Sequence, residues 1–262
     1  MRLTTVAAGF VTVLIAAFLV TPALLSIVAG LTVNYARGVS SGLTLAWVEQ
    51  VWTGYSGTIW RSIAVAILTL LVDLAIGVPA AYALVRRGGR LARIIEEFVT
   101  LPVAVPGLAL ALALLIAYGS FGTFRGSMLF IVTGHVLYTL PFMLRAVIAV
   151  LASLDWRSLD EGAASLGASQ WQRFVDVIVP NARPGILAGA LTVVTLSIGE
   201  FNLTWMLHTP LTKTLPVGLA DAYASLRLEI ASAYTLLFFI MIMPLLFALQ
   251  WAAGAPDRGA RA

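Results

Sequence analysis

The chain has 262 residues, of which 60% are apolar and 11% charged, and a formal net charge of +4. A soluble domain averages about a quarter charged residues, so this chain has too little polar surface to cover itself in water, and a bilayer is its natural solvent. It has no cysteine, which excludes a disulfide framework, a thiolate metal site and a cysteine nucleophile.

A helix crosses the hydrocarbon core with about 20 mainly apolar residues. Six stretches meet that test: 5–31, 61–85, 98–118, 128–150, 185–207 and 231–253. The expectation is an all-α polytopic membrane protein with one transmembrane domain over 1–262. The first stretch is uncharged between Arg2 and Arg37, too long for the apolar region of a cleaved signal peptide, and is read as a retained span. Residues 32–58 form an outer segment with interleaved aromatics, able to rest on the membrane or to touch a binding protein.

Loop charges set the orientation and give no reason to expect nucleic acid as a partner. With a cytoplasmic N-terminus the inner side receives Arg2, Arg86, Arg87, Arg90, Arg93, Arg157, Arg173, Arg183, Arg258 and Arg261. The outer side receives Arg37, Arg61, Arg125, Lys213 and Arg227, and Arg145 lies near the inner end of the fourth span. Ten against five places both termini in the cytoplasm.

Asp73, in "TLLVDLAIG", falls at the centre of the second span. A carboxylate there costs about 2.5–3.5 kcal/mol on insertion scales, so it is expected to face protein or water rather than lipid. It is either a contact for an amine-bearing solute or a buried carboxyl holding two helices together. Prolines 22, 79, 102, 106, 141 and 244 lie inside spans and predict kinks. His135, alone among apolar residues of the fourth span, reads as a satisfied core residue.

Between the fourth and fifth spans lies "SLDEGAASLGASQWQRFVDVIVPNARPG". Ser158 and Glu161 have capping-box spacing for a first helix, with Leu159, Ala163 and Leu166 on one narrow apolar face. Gly167 suits a left-handed stop, and Ala168 leads to a second box at Ser169 and Gln172. Trp171, Phe174, Val175 and Ile178 make the apolar face of a second helix, which Pro180 and Pro184 are expected to end. The balanced charge of this hairpin suits a protein partner better than a lipid surface. Glu200 falls about 24 Å along the fifth span, close to Asn202. Asp73, Glu200 and Asn202 are therefore candidate pathway residues, and two carboxylates there favour a cationic or zwitterionic cargo.

"EGAASLGASQWQRFVDVIVP" resembles the cytoplasmic EAA loop of ABC-importer permeases. Glu161, Ala163, Gly167, Ile178 and Pro180 fall on motif positions, while Gly162 replaces an alanine. "GVPAAYALVRR", "LPVAVPGLALALALL", "HVLYTLPFMLRAV" and "TLPVG" look like the smaller permeases of polyamine-type and 2-aminoethylphosphonate-type importers. The resemblance implies a multi-pass protein of the bacterial cytoplasmic membrane. Its loop, about 152–184, would dock on a dimer of ATPase subunits. A second permease, the same or related, would complete the pathway, and an extracytoplasmic solute-binding protein would deliver the cargo. ATP and magnesium would be held by the partner, with no cofactor in this chain. Independently, no Gly-x-x-x-x-Gly-Lys-Ser/Thr motif is present, and the one lysine, Lys213, lacks a glycine-rich lead. An ion-coupled transporter or channel using Asp73 and Glu200 is the alternative, together with a permease of the same scaffold for an inorganic oxyanion or ferric iron. An intramembrane enzyme finds no HExxH motif to support it.

Overall fold

The structure is a computed structural model and describes residues 2–254. Arg258 and Arg261, counted above for orientation, lie outside the described residues. Among the described residues five helices are long and apolar enough to cross a membrane, or six if the bent pair Gly89–Ala104 and Gly107–Tyr118 counts as one span. The fold is all-α and polytopic. The chain divides into two compact units, 1–59 with 217–241 and 60–216 with 242–262.

The first unit begins with α1 (Arg2–Ala29), whose large apolar side chains, among them Phe10, Phe18 and Leu25, are exposed. A bilayer rather than water is the solvent that such a helix tolerates. A 3₁₀ turn (Gly38–Ser41) follows, and an isolated antiparallel bridge joins Thr32 to Leu43. The Trp47 indole donates to the Thr32 carbonyl at 3.0 Å, and the Tyr35 N–H donates to Glu229 at 2.9 Å. Segment 32–45 is thereby folded locally. The 42-residue helix α2 (Ala46–Arg87) runs through both units.

In the second unit α2 turns at Gly88 and Gly89, both with positive φ, into α3 (Gly89–Ala104). Then come α4 (Gly107–Tyr118), the short α5 (Gly122–Arg125), α6 (Met128–Ser153) and α7 (Trp156–Ser165). Next α8 (Gln170–Gln172), a π-helical turn (Arg173–Ile178) and α9 (Val179–Gly199) form one continuous 30-residue helix. The chain closes with α10 (Asn202–Leu207), α11 (Leu215–Ala224) and α12 (Leu228–Gly254), the last two shared with the first unit.

Helix α6 is the central post. Toward α7 it contributes Met143, Leu144, Val147 and Leu151 to an apolar core with Val78, Ala81, Ile178, Ala182 and Val193. At its other end Phe130, Ile131 and Val132 join Val65, Ala111, Leu114, Leu203 and Leu207. Close approach needs glycine: a Cβ at Gly185 would lie 2.6 Å from the Ala146 carbonyl oxygen, and one at Gly189 2.7 Å from Met143 Sδ. This Gly-x-x-x-Gly stripe lets the α9 backbone sit directly on α6.

Three expected spans differ from their sequence boundaries. The second, 61–85, belongs to a helix that already starts at Ala46, so the outer segment expected over 32–58 is helical from there on. The third, 98–118, is broken at Val105–Pro106, where α3 and α4 meet at 106°. Proline biases the preceding residue toward extended backbone, and Val105 adopts φ −91°, ψ 128°. Pro102 and Pro106 stand four apart, so Pro106 also removes the donor that the Pro102 carbonyl would use. The Val105 N–H supplies that bond instead, at 3.2 Å. The fifth span, 185–207, ends as a helix at Gly199, and the chain reorganises through Glu200 and Phe201 before α10.

Candidate functional site

The hairpin between α6 and α9 is built largely from local signals. Gly167 has φ +83°, and the Ala168 and Gly167 N–H groups return to the carbonyls of Ala163 and Ala164 at 3.1 and 2.9 Å, closing α7 in a Schellman motif. Ser169 and Gln172 form the expected reciprocal capping box. The first box does not form. Asp155, three residues before Ser158, accepts its hydroxyl at 2.6 Å and its backbone N–H at 3.4 Å, so the helix starts earlier and Ser158 lies inside it. These two donors, the hydroxyl first, hold the Asp155 carboxyl below its usual range. Pro180 and Pro184 do not end the second helix either. Pro180 sits at its first turn and Pro184 inside it, behind the widened π turn. There the Val179 N–H reaches five residues back, to the Phe174 carbonyl, which suits a segment next to a proline without an N–H, and Asn181 Nδ2 donates to the Val177 carbonyl at 2.7 Å.

The hairpin's two faces differ. Leu166 is 90% exposed and Trp171 70%, with Leu159 and Val175 also exposed, and Glu161, Gly162 and Ser169 are exposed around them. Ala163, Ala168 and Phe174 are partly covered, and Ile178 is buried in the core beside Ala182. Asp160 is the one buried residue of α7. Sequence periodicity gave it no special place, because an acid between two apolar positions reads as solvated. Its Oδ2 accepts from Arg173 Nη1 at 2.9 Å, its Oδ1 accepts from the Tyr82 hydroxyl at 3.0 Å, and Arg86 lies 4.0 Å away.

The second feature is a meeting of two broken helices. Gly107, at the start of α4, packs against Asn202, Glu200 and the Leu203 N–H: a Cβ there would sit 3.5–3.7 Å from them. Val103, Ala104, Val105, Pro106, Gly199 and Asn202 are exposed around this meeting. Irregular backbone is tolerated at membrane depth only inside protein or along a water-filled cavity.

Beneath the breaks lies a polar layer between the two apolar cores. Glu200 Oε1 accepts from the Leu203 N–H at 2.8 Å, and Oε2 accepts from the Thr204 N–H and hydroxyl at 2.8 and 2.9 Å. Its charge thus stands at the N-terminus of α10, where the helix dipole favours an anion. His135 is buried, with Nε2 and Nδ1 each 2.8 Å from the hydroxyls of Thr204 and Ser197. The Thr204 hydrogen goes to Glu200, so Nε2–H donates to Thr204, and Nδ1 of the neutral ring accepts from Ser197. Asp73 is fully buried and accepts from Thr139 of α6 at 2.6 Å. Both oxygens of Glu200 are therefore engaged within the protein, whereas Asp73 Oδ1 is buried without a hydrogen-bond partner, and Asn202 is a polar side chain displayed at the break.

Residues 73–262 match the family model described as "Binding-protein-dependent transport system inner membrane component". The chain belongs to this family of ABC-importer permeases. It is 27% identical over 251 residues to a putative 2-aminoethylphosphonate transport system permease protein, PhnV, of Salmonella typhimurium strain LT2, covering 93% of each chain. It is 29% identical over 210 residues to the sulfate transport system permease protein CysW of Escherichia coli K12, covering 74% of this chain and 72% of that one. A crystal structure of a bacterial ABC transporter for import of the acidic polysaccharide alginate shares the fold, with TM-score 0.74, 14% identity and 96% of each chain covered. The protein is a transport subunit of the inner membrane and not an enzyme, and ATP hydrolysis belongs to a separate subunit.

Proposed function

We propose that this permease docks its ATPase through the exposed face of the hairpin 156–178 and forms half of the solute pathway at the paired helix breaks. The observation that carries the docking is the exposure of Leu166 and Trp171 on a doubly capped, rigid turn. Large apolar side chains on a charge-balanced cytoplasmic projection suit a protein groove. The exposed breaks need a cover that lipid does not provide. A second permease facing them across a water-filled path supplies it, with Asn202 as a polar contact for the passing solute.

For the cargo we infer a small solute bearing a tetrahedral oxyanion, with 2-aminoethylphosphonate foremost. The phosphonate and sulfate named for the two relatives share that group, and the phosphonate adds the amine expected from the sequence. Attraction of the amine by Asp73 and Glu200 is no part of this reading, because protein donors hold both oxygens of Glu200 and Asp73 is fully buried. The test is uptake by cells producing the permease with the ATPase and binding protein encoded beside it. Labelled 2-aminoethylphosphonate should enter in an energy-dependent way, with excess sulfate competing weakly. Uptake of sulfate alone would move the cargo to an inorganic oxyanion. Failure of the ATPase to co-purify with the permease would remove the docking reading.

A further inference from the structure

The buried cluster around Asp160 has a role that exposure of the hairpin does not explain. It joins three pieces of chain: Tyr82 and Arg86 at the end of α2, Asp160 on α7, and Arg173 in the π turn. The Tyr82 ring, whose hydroxyl makes one of the bonds, also packs edge-on to Trp156 at 6.4 Å and against Phe174 at 5.5 Å. The Arg86 guanidinium lies 5.8 Å from the Tyr82 ring centroid. Asp160 is only 6% exposed, so its bonds are shielded from water. Charge-assisted bonds of this kind are about twice as strong as neutral ones. Arg173 Nε is buried without a partner, so the arginine is held here by its Nη1 bond alone.

We propose that Asp160 is the positioning residue that ties the hairpin to α2, so that a push on the hairpin moves α2 with it. This rests on the coupling reading above and adds the route by which motion enters the membrane. Without the joint, α7 hangs on α6 through the Leu154–Asp155 turn, and α2 loses its polar tether to the docking element. ATP-driven movement then reaches α9, which is continuous with the π turn, while α2 follows only through its apolar contacts with Trp156, Phe174 and Ile178.

The test uses the full chain with its ATPase in liposomes. Since the native chain has no cysteine, single reporters Val105→Cys and Asn202→Cys are labelled with a water-soluble maleimide, with and without MgATP and vanadate. In the otherwise native chain the labelling rate should change with nucleotide. Adding Asp160→Asn should reduce the response at Val105, which follows α2 through α3, about tenfold, the shift expected for losing one charge-assisted hydrogen bond. The response at Asn202, carried by α9, and ATP hydrolysis per complex should continue. Asp160→Glu should restore part of the response, and Tyr82→Phe should weaken it with little effect on the amount of protein. If Asp160→Asn is not recovered from membranes, Tyr82→Phe reads the same joint. A full nucleotide response at Val105 in Asp160→Asn, or in Tyr82→Phe where only that variant is recovered, overturns the joint and leaves docking intact. No response at either reporter in the otherwise native chain sinks the coupling reading, and this one with it.

Discussion

Glu200 shows how far a single residue's role depends on what surrounds it. An acid within an apolar run raises the thought of cargo, yet both of its oxygens are held by the first turn of α10. Glu200→Gln keeps one acceptor and turns an NH₂ toward an N–H, so it should cost about 1–3 kcal/mol and lower the melting temperature of the detergent-solubilised protein. Glu200→Ala should cost more, with His135 losing its link through Thr204 to the carboxylate. An unchanged melting temperature in both would show that the cap does not hold the break. Gly167 is simpler. Its φ of +83° penalises any side chain by about 1–2 kcal/mol, and proline cannot adopt it at all. Gly167→Ala should therefore weaken ATP-driven uptake mildly and Gly167→Pro severely, and normal uptake by the proline variant would refute hairpin coupling. Gly167 and the Ser169–Gln172 box were legible in the sequence because such caps are local chemistry. Asp160 was not, because its partners stand 78 residues before it and 13 after. Asp155 was missed because an acid beside a stronger-looking Ser-x-x-Glu pattern left two starts for one helix.

At the scale of elements, prolines were the weak point of sequence reading. Pro22, Pro79, Pro102, Pro141, Pro184 and Pro244 all lie inside helices, whereas Pro106 breaks one. Spacing does not decide the outcome, since Pro180 and Pro184 stand four apart, as Pro102 and Pro106 do, within an unbroken helix. The six apolar runs and the hairpin's two helices were legible from length and periodicity alone. The helix joining Gln170 to Gly199 was not, since two prolines read as a stop. The contact of α6 with α9 offers a direct check of the packing. Gly185→Leu places side-chain atoms where the Ala146 carbonyl already lies 2.6 Å from an added Cβ. Overpacking of this kind costs about 1–3 kcal/mol or more. The variant should fall in membrane yield and thermal stability, whereas Gly162→Ala, with open space around it, should change neither.

For the whole molecule, the second unit places a polar layer between two apolar cores, and α6 carries all three: Phe130 to Val132, then His135 and Thr139, then Met143 to Leu151. Family membership supplies the inner membrane, and the loop arginines predict both termini in the cytoplasm. Cysteines at Thr123 and Leu211, both exposed, should react with an impermeant thiol reagent in intact cells, and cysteines at Gly89 and Leu166 should react only after lysis. Thr212 is a poor reporter, because it is buried and bonded to Thr209. Labelling of Leu166 from outside would invert the orientation and place the docking face on the wrong side.

The helix that runs unbroken from Gln170 to Gly199 measures about 45 Å at 1.5 Å per residue. It is a push-rod. One end stands in the docking turn and the other at the break beside Glu200, so an axial stroke at the first arrives at the second with little loss. A stop at Pro180 would have made the same segment a crank with a loose pin. Two glycines inserted after Asn181 should introduce that pin: the ATPase keeps turning over, while the maleimide reactivity of Asn202→Cys no longer follows it.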